Sequence, residues 1–219
     1  FFNDTATTEI YTLSLHRRSS DLFALIVLVI AAVIGISAII VWQSRSGERV
    51  AGAVNVTKGV EIGGPFTMTD HRGREVTEAM LQGRHALIYF GYTFCPDVCP
   101  TELQDMAVAL DLAGEAGEKV LPVFVTIDPA RDGQQEMAAY VEAFHPRMVG
   151  LRGTDEQTAA MARAYRVFYA PVNREDEYYL MDHSNFIFLM GPDGDNIAIF
   201  NGQASPETIA AGIRQAVDG

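Results

Sequence analysis

The segment Phe94-Cys95-Pro96-Asp97-Val98-Cys99-Pro100-Thr101 holds the only two cysteines of the chain, each followed by proline. It lies directly behind the apolar, strand-like run Ala86-Leu87-Ile88-Tyr89-Phe90-Gly91-Tyr92 and ahead of a stretch with helical period. A strand must therefore end, and a helix begin, at a pair of thiols. Pro96 sets one backbone angle and removes an amide donor, which stiffens the loop. Such a pair is a redox couple, half of a soft-metal site, or a passive disulfide. Closing so small a loop constrains the unfolded chain little, which counts against the passive reading. A thioredoxin-type redox site uses C-x-x-C, whereas three residues intervene here, leaving the sulfurs room to face a third group.

A second constraint sits upstream. Leu22 to Trp42 is an uncharged run rich in Leu, Ile, Val and Ala, long enough to cross ~30 Å of hydrocarbon as a helix. A cleaved signal peptide would have an apolar region of only ~7–15 residues and a small-residue cleavage site. The expectation is a retained single-span anchor over 22–42, closed by Trp42 and Arg45. Residues 1–21 are polar, lack an amphipathic period and join this run abruptly, so they read as an artefactual or disordered segment outside the fold. Residues 43–59 read as a polar tether, and 60–219 as the folded domain.

Across its 219 residues the chain carries 16 basic and 28 acidic residues, a formal net charge of −12. An acidic domain without a basic stripe is a poor match to nucleic acid.

The domain opens with two short strand candidates, Pro65 to Asp70 and Arg74 to Thr77, flanking the turn His71-Arg72-Gly73. Strand His85 to Tyr92 then leads through the cysteine loop into a helix over Thr101 to Ala116. Strand Val120 to Ile127 ends at Asp128-Pro129-Ala130-Arg131-Asp132. A helix over Gly133 to Phe144, a strand near Met148 to Leu151 and a helix capped at Thr154 follow. The last third turns antiparallel, with strands Asn185 to Met190 and Asn196 to Phe200, before a helix opened by Ser205-Pro206-Glu207. The order βαβ…ββα behind a hairpin predicts an α/β, thioredoxin-like fold with an N-terminal β-hairpin extension, preceded by a single transmembrane helix.

A soft-metal site needs a third donor. Of the five histidines, His16 lies in the atypical N-terminal segment, His71 in a turn expected to be exposed, and His145 in a helix-ending His-Pro pair. His85 opens the strand that leads to the thiols, but at its far end, seven residues or roughly 23 Å of extended chain before Tyr92 and so too distant to join Cys95. His183, in Met181-Asp182-His183-Ser184-Asn185, occupies a loop that a thioredoxin-like topology can bring to the cysteines. A lone histidine before a strand is ordinarily structural, so spacing alone leaves its role open.

Tyr89 to Leu103 around the cysteines, Thr126-Ile127-Asp128-Pro129-Ala130-Arg131-Asp132, and Asp182-His183-Ser184 closely resemble, in that order, the Sco/SenC family. These are membrane-anchored, thioredoxin-like copper proteins that assist assembly of the dinuclear copper centre of cytochrome c oxidase. The similarity runs from about Gly63 to the C-terminal helix. It implies one copper per chain, held by Cys95, Cys99 and His183. Many members have histidine immediately before the first cysteine, where this chain has Phe94; that position is not among the family's core ligands. Two thiolates and an imidazole suit Cu(I), with the histidine neutral and its second nitrogen held by an acceptor such as Asp128 or Asp182. Nothing supplies the general base of a zinc hydrolase.

The resemblance implies a copper chaperone rather than an enzyme, with the copper-bearing subunit of cytochrome c oxidase and other copper carriers as partners. The alternative is a thiol-disulfide reductase, with Cys95 and Cys99 redox-active, that keeps a partner's copper-binding cysteines reduced. The apolar run would hold it to a bacterial inner membrane with the domain in the periplasm.

Overall fold

The computed structural model describes residues 25–37, 61–173, 175 and 178–219. The chain divides into two units, Phe1–Arg49 and Val50–Gly219. In the first, residues 25–37 form an exposed apolar helix, α1. The ends of the expected 22–42 span, residues 1–21 and the 43–59 tether lie outside the described residues. Among the described residues, no helix is long and apolar enough to cross a membrane.

The second unit is built on a seven-stranded sheet. β1 (Thr67–Asp70) and β2 (Glu75–Thr77) form the expected hairpin, in the register Thr67↔Thr77. Gly73 takes the left-handed turn conformation at φ 82°, which costs glycine little because it has no Cβ. β3 (His85–Gly91), β4 (Val120–Thr126) and β5 (Val149–Arg152) are parallel to one another, while β8 (Phe186–Met190) runs antiparallel to β3 and to β9 (Asn196–Asn201). The strand order is β2-β1-β5-β4-β3-β8-β9. This is the expected mixed α/β, thioredoxin-like arrangement.

β3 and β4 are continuous apolar runs because both faces of a parallel sheet are covered; Leu87, Ile88, Tyr89, Val123, Phe124 and Val125 are fully buried. Helix α2 (Val98–Ala113) packs with α6 (Pro206–Asp218), and α4 (Gln134–Phe144) packs on β5. Thr154 caps α5 (Asp155–Ala164) in a capping box closed by Gln157, and Ser205 caps α6 with Pro206 in its first turn. Both helix starts match the sequence reading.

Two boundaries differ from expectation. Helix α2 begins at Val98 rather than Thr101, so Cys99 lies in its first turn. It stops at Ala113 because Gly114, at φ 59°, breaks the path, leaving a separate short helix α3 (Glu115–Glu118). A second, two-stranded sheet was not expected: β6 (Tyr169–Val172) pairs with β7 (Leu180–His183), matching Tyr169 with His183. His183 therefore ends a strand instead of sitting in a loop. Two four-residue strands, one interrupted by Pro171, carry too little alternation to be read from sequence.

Candidate metal centre

The cysteine loop leaves the C-terminal end of β3, inside the sheet and beside the loop that follows β4, where ligands bind in open α/β sheets. Three long-range ties hold it. The buried carboxylate of Asp132 accepts from the Thr93 amide at 3.0 Å, from the Thr93 hydroxyl and from the Thr126 hydroxyl. The Tyr92 hydroxyl accepts from the Met181 amide at 3.2 Å, joining the loop to β7. On α2, the buried Glu102 accepts from the Asn185 amide group at 3.0 Å, tying the cysteine helix to the start of β8.

Both cysteines are free thiols and buried. The Cys99 amide, in the first turn of α2, donates to Cys95 Sγ at 3.4 Å, so the helix terminus supports negative charge on that sulfur. Hydrogen bonding from the Cys99 thiol holds Cys95 well below the ordinary thiol range; burial opposes this, while His183 and the backbone at Asp97 and Cys99 add to it. The same hydrogen bond, together with burial, pushes Cys99 up. The pair is thereby set apart, Cys95 the more acidic thiol and Cys99 the less acidic one.

His183 Nε2 lies 3.5 Å from Cys99 Sγ across 84 residues of sequence. Its Nδ1 is 3.0 Å from the Ser184 carbonyl. A carbonyl only accepts, so Nδ1 donates to it and Nε2 is the ring nitrogen that faces the sulfur. The tyrosines frame this ring edge-on, Tyr89 at 6.2 Å and Tyr92 at 6.1 Å between centroids. Gly91 completes the fit: a Cβ there would stand 2.8 Å from Cys99 Sγ.

The donor chemistry fits a soft metal. Two donors about 2.0–2.3 Å from one ion stand roughly 3.5 Å apart at a tetrahedral angle, which is the Cys99–His183 spacing. Among the described residues, no three His, Cys, Asp or Glu side chains form a closed metal cluster. The cysteine pair and histidine adjoin through sulfur–amide and sulfur–imidazole contacts instead.

Other expectations shift. The acceptor for His183 is the Ser184 carbonyl, neither Asp128 nor Asp182: Asp128 accepts from the Tyr179 hydroxyl at 2.8 Å and from Arg131, and Asp182 is exposed. The Arg131 guanidinium lies over the Tyr179 ring at 3.7 Å and 5.0 Å from the half-exposed Phe94 ring. His71 is buried rather than exposed in its turn, and His145 is the buried C-cap of α4, ending that helix as its sequence implied; each Nδ1 accepts a backbone amide, from Gly150 and Arg147 respectively, at 3.1 Å. His85 is at the far end of β3, as expected. Asp132, Tyr92 and Gly91 had no site signal beyond their places in the motifs, since their partners are distant in sequence.

The model of the SCO1/SenC family matches residues 54–218. The chain is 41% identical over 157 residues to "Protein sco1" of Schizosaccharomyces pombe, covering 70% of this chain and 60% of that one. It therefore spans less than two-thirds of that relative's length. Among solved structures it is similar to Bradyrhizobium japonicum ScoI with copper bound (TM-score 0.65, 41% identity, 71% of this chain and 99% of that one). Arabidopsis thaliana ScoI with copper bound is also similar (TM-score 0.67, 38% identity, 72% and 98%).

Proposed function

The chain belongs to the SCO1/SenC family, and from that premise we propose that it is a membrane-anchored copper chaperone. Cys95, Cys99 and His183 hold one copper ion as cargo for the dinuclear centre of cytochrome c oxidase. The observation that carries this reading is the 3.5 Å approach of His183 Nε2 to Cys99 Sγ, with Nδ1 engaged at Ser184. The Cys95 sulfur, the less buried of the pair, is the donor that an incoming partner thiolate reaches first, so ligand exchange proceeds one donor at a time. Residues 22–42 serve as the anchor, by their length and apolarity. A bacterial inner membrane, with the domain in the periplasm, fits that arrangement.

Titration of the reduced full chain with Cu(I) tests this. One equivalent should bind, and His183→Ala should weaken binding by at least tenfold without unfolding the domain. Unchanged affinity would remove His183 from the site.

A second reading, thiol-disulfide exchange with a partner's cysteines, is favoured by the low pKa of Cys95 beside a free Cys99. Its activity would survive His183→Ala and fail in either single-cysteine variant.

A further inference from the structure

Arg131 and Asp132, consecutive in the turn after β4, hold Phe94 and Thr93, consecutive in the cysteine loop. The two holds differ in kind. Asp132 is fully buried and takes the Thr93 amide and hydroxyl, whereas the Arg131 guanidinium meets the half-exposed Phe94 ring at 5.0 Å. A cation over a solvent-exposed ring is the weaker of the two. Arg131 is itself well fixed. Its amide and that of Asp132 donate to the Asp128 carbonyl at 3.2 and 3.0 Å. Its Nε donates to the Asp128 carboxylate, which also accepts from the Tyr179 hydroxyl. The guanidinium lies over the Tyr179 ring at 3.7 Å, with Tyr92 at 5.7 Å. Its Nη2 is buried and finds no hydrogen-bond partner among the described residues. The position therefore draws on the charge and flat faces of the guanidinium more than on its donors.

Cys95 follows Phe94 directly, and its amide donates to the Tyr92 carbonyl at 3.3 Å, closing a turn over Thr93 and Phe94. Cys99 is carried in the first turn of α2. Of the two sulfurs, Cys95 alone rides on a loop, and an outward swing of that loop lifts Phe94 from Arg131. We propose that Arg131 is a positioning residue for Cys95: acting through Phe94, it latches the cysteine loop and sets how fast the Cys95 sulfur takes up copper or gives it away. The inference rests on the copper-carrier reading. In that handover one copper–sulfur bond replaces another and no electron moves. The latch lies outside the ligand set, so it governs the rate of exchange and leaves the affinity to Cys95, Cys99 and His183.

A double-mutant cycle in the full chain tests the latch. Phe94→Leu keeps apolar bulk without a π face, and Arg131→Met keeps length without charge. Without copper, each single variant should speed amide exchange at Cys95 by about two- to fivefold, the size of an exposed cation–π contact. The double variant should go no further than Arg131→Met. The Thr93 amide, held by Asp132, should keep its wild-type protection. Loaded with Cu(I), the same variants should pass the ion to a competing chelator faster by a similar factor, at unchanged affinity. Unchanged exchange at Cys95 or an unchanged transfer rate overturns the proposal, as do additive effects in the double variant, or Thr93 losing protection along with Cys95. Failure of the wild type to bind Cu(I) would instead sink the parent reading, with amide exchange still deciding whether Arg131 holds the loop.

Discussion

Asp132 holds Thr93 by both its amide and its hydroxyl, 39 residues back along the chain and two residues before Cys95. One buried carboxylate thereby sets the path of the cysteine loop from the end of β4. Removing it in Asp132→Ala strands the Thr93 amide and takes the acceptor from the Thr126 O–H, which keeps only the Asp128 amide as partner. A donor left buried and unpaired costs about 1–3 kcal/mol. Urea unfolding should show a lower midpoint, and alkylation of Cys95 should quicken as the loop loosens. An unchanged alkylation rate would separate Asp132 from loop geometry.

Gly91→Ala places a methyl group 2.8 Å from Cys99 Sγ, with Phe124 and Tyr89 at 3.0 Å. Those neighbours are packed core and cannot all yield, so the sulfur moves. Overpacking of this kind costs about 1–3 kcal/mol. The melting temperature should fall and Cu(I) affinity with it; a variant that melts lower but binds copper normally would show that the sulfur held its place.

Tyr92→Phe removes the acceptor of the Met181 amide, two residues before His183. The orphaned, buried N–H costs about 1–3 kcal/mol and loosens β7 where the histidine is carried. Amide exchange at Met181 should accelerate while β3 and β4 stay protected. Equal protection in variant and wild type would place the anchor of β7 elsewhere.

His71 gives the fold a pH dependence far from the metal centre. Burial, together with the Arg72 charge, lowers its pKa, and its Nδ1 must stay unprotonated to accept the Gly150 amide. With the folded pKa below the unfolded value of about 6.5, the unfolded chain takes up the proton first. Stability is complete above the unfolded pKa and declines as pH falls through the folded one. His71→Asn keeps an acceptor near Nδ1 without a titrating ring. Unfolding curves between pH 7 and about 5 should be flatter for the variant than for wild type; parallel curves would acquit His71.

Much of the fold was legible because its signals are local. Thr154 and Gln157 close a capping box within one turn, and Ser205-Pro206 opens α6 within two residues. Apolar runs mark β3 and β4 because burial on both faces leaves no polar position. The helix expected from Thr101 begins three residues earlier, at Val98, because a proline such as Pro100 fits within the first turn. His71 passed for a surface residue because a turn is usually exposed, while its burial goes with the distant amide of Gly150 that its Nδ1 accepts.

By itself, then, the sequence settled the cysteine pair, the strand before it, the helix after it and the apolar run upstream, each a matter of neighbouring residues. Only the tertiary structure brought His183 Nε2 to Cys99 Sγ, turned its other nitrogen to Ser184 and seated Thr93 on Asp132. The physical reason is register: β8 lies antiparallel beside β3, pairing Tyr89 with Ile187, and β4 lies parallel on the other side, pairing Gly91 with Thr126. Those pairings carry distant segments to the mouth of one loop, and no local spacing encodes them.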